Sequence, residues 1–199
     1  MSEDDDRVIG PTHVSRWSYS TSKALDEHLA FAYEAERGLR MSIVRYFDTY
    51  GPRLHQNGYG SVVASMTAQA LAGDPIVIHG DGNQTRCFGF VGDTIRGTYL
   101  AGTRDEALGQ AFNIGTSTEI SINELAERIC RAAGSSSKIS HISYAEAYGP
   151  GFEDPMRRVP DVRKAAKILG WAPAVSIDEG LPITVDWWRE NNDPLMVAQ

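Results

Sequence analysis

RWSYSTSKALDEHLAFAYEAERGLRMSIVRYFDTYGPR, residues 16–53, sets the pattern of the whole chain. Leu25, Leu29, Ala32 and Tyr33 recur at helical spacing over 18–37, and Gly38 supplies a stop. MSIVRYF, residues 41–47, is a β-rich run closed by the turn signal YGPR. A helix feeding a strand in this way predicts α/β architecture. Further along, residues 60–72, GSVVASMTAQALA, predict a second helix closed by Gly73 and Pro75. IVIHG and TRCFGFV predict two strands joined in hairpin fashion around DGNQ. A helix from Asp93 to about Thr103 and a short strand, QAFNIG, follow.

In the second half, Ser121 and Glu124 have capping-box spacing ahead of ELAERICRAAG. KISHISY predicts a strand. PDVRKAAKILG (160–170) predicts a short helix with Asp161 as N-cap and Gly170 just past its end. SIDE (176–179) is a second capping-box spacing, with Pro182 expected to kink or delay the helix behind it. The less regular tail reads as a smaller lobe.

The 199 residues are 42% hydrophobic, enough for one sizeable core or for one domain and part of another. No apolar run is long enough to span a bilayer, and the acidic start MSEDDDR has no signal-peptide character. The expected location is the cytoplasm. A net charge of −7 argues against general nucleic-acid binding, though local arginines can still bind a small anion. Cys87 and Cys130 are far apart, and the five histidines lack ligand spacing, so no metal site is expected.

Tyr19 and Lys23 stand four apart, so a helix places both on one face. That pair suits proton abstraction from an alcohol while hydride leaves its carbon. An unperturbed tyrosine, with a pKa of roughly 10, is a poor base at neutral pH. A nearby ammonium favours the phenolate and brings the pKa into a useful range. The alternative at this spacing is a packed tyrosine and a solvated lysine.

Four motifs in order, RWSYSTSKALDEHLAFAY, RYFDTYGPR, GDGNQTRCFGFVGD and the RRVPD tail, resemble the extended short-chain dehydrogenase/reductase family. The resemblance is to its NAD-dependent nucleotide-sugar epimerases, dehydratases and decarboxylases, and runs from about residue 3 to 190. It implies that Tyr19 is the catalytic base and that Lys23 lowers its pKa and binds the nicotinamide ribose of NAD. It implies that Asp48, where the family's R-x-F-N-x-x-G-P motif has asparagine, lines the site of a UDP- or dTDP-sugar. Ionised Asp only accepts hydrogen bonds and repels a diphosphate, which marks a departure from the pattern. Arg86 and Arg158 match arginines used on the nucleotide diphosphate or the sugar's acid group, for which guanidinium is well shaped.

The family's glycine-rich fingerprint, which should open a dinucleotide fold, is absent; GDGNQT lacks a third glycine and lies between two predicted strands. The expected fold is therefore the C-terminal part of a Rossmann-like doubly wound sheet plus a small α/β substrate-binding lobe. Residues 1–120 are expected to be a partial dinucleotide-binding domain with substrate-lobe insertions, and 121–199 mainly the substrate lobe. The implied reaction is oxidation of a nucleotide sugar at C4, leading to decarboxylation, epimerisation or dehydration. GPR after the Arg45 strand, and FEDPMRRVPDVRKAAKILGWAP, resemble UDP-glucuronate decarboxylases most, with 4-epimerases next; a 4-keto group makes the C5 carboxylate a β-keto acid, which loses carbon dioxide readily. The other reading is a non-catalytic nucleotide-sugar-binding or assembly module. A half sheet leaves an unpaired edge, so a homo-oligomer or a complementary N-terminal chain is expected.

Overall fold

The computed structural model describes residues 1–14, 16–54, 61–149 and 154–191. Gly60, His55 and the first two residues of FEDPMRR, all touched on above, lie outside them. The architecture is α/β, as expected. Helix α1 (Arg16–Arg37) leads into β1 (Ser42–Tyr46), and β2 (Thr49–Tyr50) follows directly. Then come α2 (Val62–Ala72), β3 (Ile76–His79), β4 (Thr85–Arg86), β5 (Gly89–Phe90), α3 (Val91–Thr103) and β6 (Gln110–Ile114). The chain ends with β7 (Ile120–Ser121), α4 (Ile122–Ala133), β8 (Ile139–Ile142), α5 (Tyr144–Tyr148), α6 (Arg163–Leu169) and α7 (Ile177–Asn191).

The strands join in pairs. β1 runs parallel to β6, with Val44 opposite Phe112, and β2 runs parallel to β5. β3 pairs in parallel with β8, whereas β4 pairs antiparallel with β7. The expected β3–β4 hairpin around DGNQ is therefore wrong: each strand takes a distant partner. Gly80 and Gly82 adopt positive φ in that connection, which turns the chain away from a ladder.

Helix ends follow the sequence closely. Ser121 accepts the Glu124 amide at 3.1 Å to start α4. Ser176 and Glu179 complete a reciprocal box, the Ser176 amide donating to Glu179 Oε2 at 2.9 Å. α7 consequently begins at Ile177, and Pro182 does not delay it. Asp161 accepts the Arg163 amide at 3.0 Å, one residue earlier than the formal cap of α6, and Gly170 closes that helix in the left-handed region.

Two apolar cores result. One gathers Tyr50, Val63, Met66, Ile76, Ile78, Leu125, Ile129 and Leu181 from α2, β2, β3, α4 and α7, with Phe88 from the link between β4 and β5. The other packs Phe112 and Ile114 of β6 against Ala101 of α3 and Ala165, Leu169 and Trp171 of the tail. The approaches are close. A Cβ on Gly97 would lie 2.9 Å from Ile114 Cδ1, and one on Gly180 would lie 2.1 Å from Tyr50 Oη. Between the cores stands Asp93, almost fully buried. Its carboxylate accepts the amides of Ala174 and Val175 at 2.8 and 2.9 Å and pairs with Arg96, while its carbonyl accepts Trp171 Nε1.

α1 turns its helically spaced apolar residues away from the two cores. Leu25, Leu29, Ala32 and Tyr33 face outward, and among the described residues of this helix Ala24, 8% exposed, is the buried one. β1 is only half-buried along its length, and among the described residues no third strand joins its free edge. No described helix is long and apolar enough to cross a membrane. Exposed Leu25, Leu29 and Tyr33 beside an open parallel edge predict self-association of the chain. Light scattering at micromolar concentration is expected to give a mass well above the 21.8 kDa of one chain. A clean monomer would refute this.

Candidate functional site

A cavity of about 620 Å³ opens beside the first core, floored by Met66, Ile78, Phe88 and Ile122. Three residues singled out from the sequence, Asp48, Arg86 and Arg158, share its lining. Asp48 is held by the β2–β5 pairing, its carbonyl accepting the Gly89 amide at 2.8 Å. Arg86 comes from β4, where its backbone is fixed opposite Ile120 of β7. Arg158 arrives from the loop before α6 and stands 3.6 Å from the Asp48 carboxylate.

Arg86 is 5% exposed, an unusual state for a guanidinium. Nη1 donates to the Thr85 carbonyl at 2.7 Å, and Nη2 donates to Asp154 Oδ2 at 2.6 Å. Tyr144 of α5 donates to the same Asp154 oxygen at 3.3 Å. Burial, then the Asp154 charge, pushes the Tyr144 phenol up to about 12, so it stays a neutral donor. Tyr148 stacks on Tyr144 with centroids 6.4 Å apart and shares a 2.9 Å hydrogen bond with His79 Nδ1. The cavity thus holds two guanidinium groups, each beside an aspartate (Asp154 and Asp48), with an apolar floor and an aromatic rim. That set suits a ligand with a planar ring and a strongly anionic linker.

Tyr19 and Lys23 are not among the lining residues. They share one face of α1, with Lys23 Nζ 6.0 Å from the centre of the Tyr19 ring, and Tyr19 is 70% exposed. Lys23 donates to Asp26 at 2.7 Å, a hydrogen bond that holds its ammonium above the usual range. These two side chains could meet one ribose and its hydroxyl. The glycine-rich turn that would take a dinucleotide's phosphates is not in the sequence. Among the described residues no cluster of His, Cys, Asp or Glu has the makings of a metal site.

What fixes α1 is a charge network. Arg45 of β1 grips Glu27 with both ends of its fork, Nε to Oε1 at 2.9 Å and Nη2 to Oε2 at 2.8 Å. Arg7 adds a third contact at 2.6 Å. Arg45, the first residue of the RYFDTYGPR motif, thus ties the helix to β1 and is not among the cavity's described lining residues. Sequence reasoning also passed over Asp154, Tyr144, Tyr148 and His79. The one available signal was the aspartate two residues upstream of the MRR run, in FEDPMRR.

The chain matches the model of the GDP-mannose 4,6 dehydratase family over residues 10–184. It is 43% identical over 190 residues to a UDP-N-acetyl-alpha-D-glucosaminuronate decarboxylase of Bacillus cytotoxicus, covering 96% of this chain and 59% of that protein. It is 37% identical to UDP-glucuronic acid decarboxylase 1 of Xenopus tropicalis, covering 92% of this chain and 40% of the relative. Among solved structures, the UDP-glucuronic acid 4-epimerase of Bacillus cereus, in complex with UDP-glucuronic acid and NAD, superposes with a TM-score of 0.77 at 27% identity. That match covers 94% of this chain and 58% of the epimerase. The chain spans roughly half the length of the proteins it matches.

Glu27 generates a test. Burial raises its pKa, but hydrogen bonds from Arg45 and Arg7 outweigh that, leaving it below the ordinary carboxylate value. Its stabilisation is therefore present above the unfolded pKa, roughly 4.3, and fades as pH falls through the lower folded value. Glu27→Gln is expected to cost about 2 kcal/mol in urea unfolding at pH 7. The gap between variant and parent should shrink below about pH 4.

Proposed function

The chain belongs to the NAD-dependent epimerase/dehydratase family, the extended short-chain dehydrogenases/reductases, and from that premise we propose that it is the substrate-binding portion of a decarboxylase of UDP-linked uronic acids. The observation that carries the reading is the convergence of Arg86 and Arg158 in one cavity with an apolar floor. In this reading Arg86 takes the diphosphate and Arg158 the diphosphate or the sugar carboxylate, each through a planar, bidentate fork. Tyr144 and Tyr148 give the base a stacking surface. The similarity to decarboxylases of UDP-glucuronate and of its 2-acetamido counterpart supports a uronic acid over a neutral hexose.

The residues present do not fit a complete NAD site. Tyr19 and Lys23 supply one end, and the chain has no phosphate-binding glycine turn for the other. We assign Tyr19 the role of base and Lys23 that of its positive neighbour and ribose ligand, to act when a cofactor-binding half covers α1. For the 199-residue chain on its own, the reading is binding without turnover.

Calorimetric titration tests this. UDP is expected to bind the purified chain and NAD to give no heat. Arg86→Gln is expected to weaken UDP by tenfold or more, about 1.4 kcal/mol or above. Absence of UDP binding would refute the substrate assignment. Clear NAD binding would show that self-association rebuilds a cofactor site.

A further inference from the structure

Arg86 poses a problem of charge when the cavity holds no ligand. A buried guanidinium without a counter-ion is strongly destabilising, and its Thr85 hydrogen bond supplies no charge. Asp154 supplies it, at 2.6 Å and itself largely shielded from solvent. Asp48 does the same for Arg158 far more loosely, at 3.6 Å, with both side chains about a third exposed. Solvent screens the second pair, so the first dominates the electrostatics of the cavity.

We infer that Asp154 is a built-in stand-in for the ligand's phosphate: its carboxylate occupies the anion position on Arg86, and a diphosphate must displace it to bind. This rests on the reading that the cavity takes a nucleoside diphosphate. The exchange swaps one charge-assisted hydrogen bond for another, so it keeps Arg86 neutralised in both states and holds affinity below what the arginine alone would give. Tyr144 steadies the stand-in by donating to the same carboxylate oxygen. Asp154 thus sets the affinity of the site, an acidic residue improving release of an acidic ligand.

The test titrates the parent chain, Asp154→Asn, Tyr144→Phe and Asp48→Asn with UDP and, separately, with inorganic pyrophosphate. Asp154→Asn is expected to tighten both ligands about tenfold, the factor equivalent to one lost charge-assisted competitor. It should also lower the melting temperature of the ligand-free chain, with the loss recovered on adding UDP. Tyr144→Phe keeps every charge and loosens the stand-in, so a smaller gain of about twofold to threefold is expected. This variant serves if Asp154→Asn does not fold. Asp48→Asn should change affinity less than Asp154→Asn. Unchanged or weaker binding by Asp154→Asn or Tyr144→Phe, with the parent binding UDP normally, would overturn the inference and leave the functional reading intact. Pyrophosphate tightening without any UDP binding would support the exchange and refute the nucleotide reading. No binding of either ligand by any variant would sink both.

Discussion

Asp93 is the carboxylate on which the arrangement of this chain turns. It is nearly inaccessible to water, so its charge must be met by protein groups. Two consecutive amides, Ala174 and Val175, and the Arg96 guanidinium meet it. The same residue's carbonyl satisfies the indole of Trp171, the largest side chain of the second core. Each partner belongs either to α3 or to the connection between α6 and α7. One buried group therefore sets where the tail crosses the β1–β6 pair and where Ser176 stands to cap α7. α7 then packs on α4 and α2, and α2 is a wall of the cavity. A neutral residue at 93 would leave those amides without a charged acceptor at the junction of both cores.

α1 is governed by a different balance. Its buried stripe amounts to Ala24 with half-buried Trp17, Glu27, Ala30 and Glu34. Apolar burial of that size contributes little at roughly 25 cal/mol per Å². The bidentate Arg45–Glu27 pair, partly shielded and reinforced by Arg7, is the stronger tie. It joins the helix bearing Tyr19 and Lys23 to the strand that leads into Asp48. The outward Leu25, Leu29 and Tyr33 are what a second layer over this helix would cover.

These contrasts explain what the sequence could and could not tell. Caps were legible because they are local: Ser121 with Glu124, Ser176 with Glu179 and Gly170 need only a few residues of context. Element types were legible from periodicity, and the motifs led to three residues, Asp48, Arg86 and Arg158, that line one cavity. Strand partners were not legible. β3 and β4 are neighbours in sequence, yet their pairing was decided by α4 and the tail, which bring β8 and β7 alongside. Which face of α1 is covered was not legible for a related reason. Periodicity reports that a helix has an apolar side, not which layer will cover it. Asp154 escaped because its meaning depends on lying opposite a buried arginine sixty-eight positions away.

The placement of the parts separates binding from chemistry. Among the described residues the cavity is lined from β2, α2, β3, β4, α4, α5 and the approach to α6, and none of the lining comes from α1. Among the described residues, two arginines of its lining face two aspartates. The Tyr–Lys pair is the reverse case. Tyr19 is largely exposed and Lys23 is engaged by Asp26, so neither is poised by its own surroundings. A phenol acts as a base only when a nearby positive charge is held close and water is excluded. The first condition requires Lys23 to leave Asp26 and the second requires a cover over α1. On the reading proposed above, capture of a nucleotide sugar rests on the packing around the cavity, whereas proton transfer rests on an exposed face of α1 that a further layer would cover.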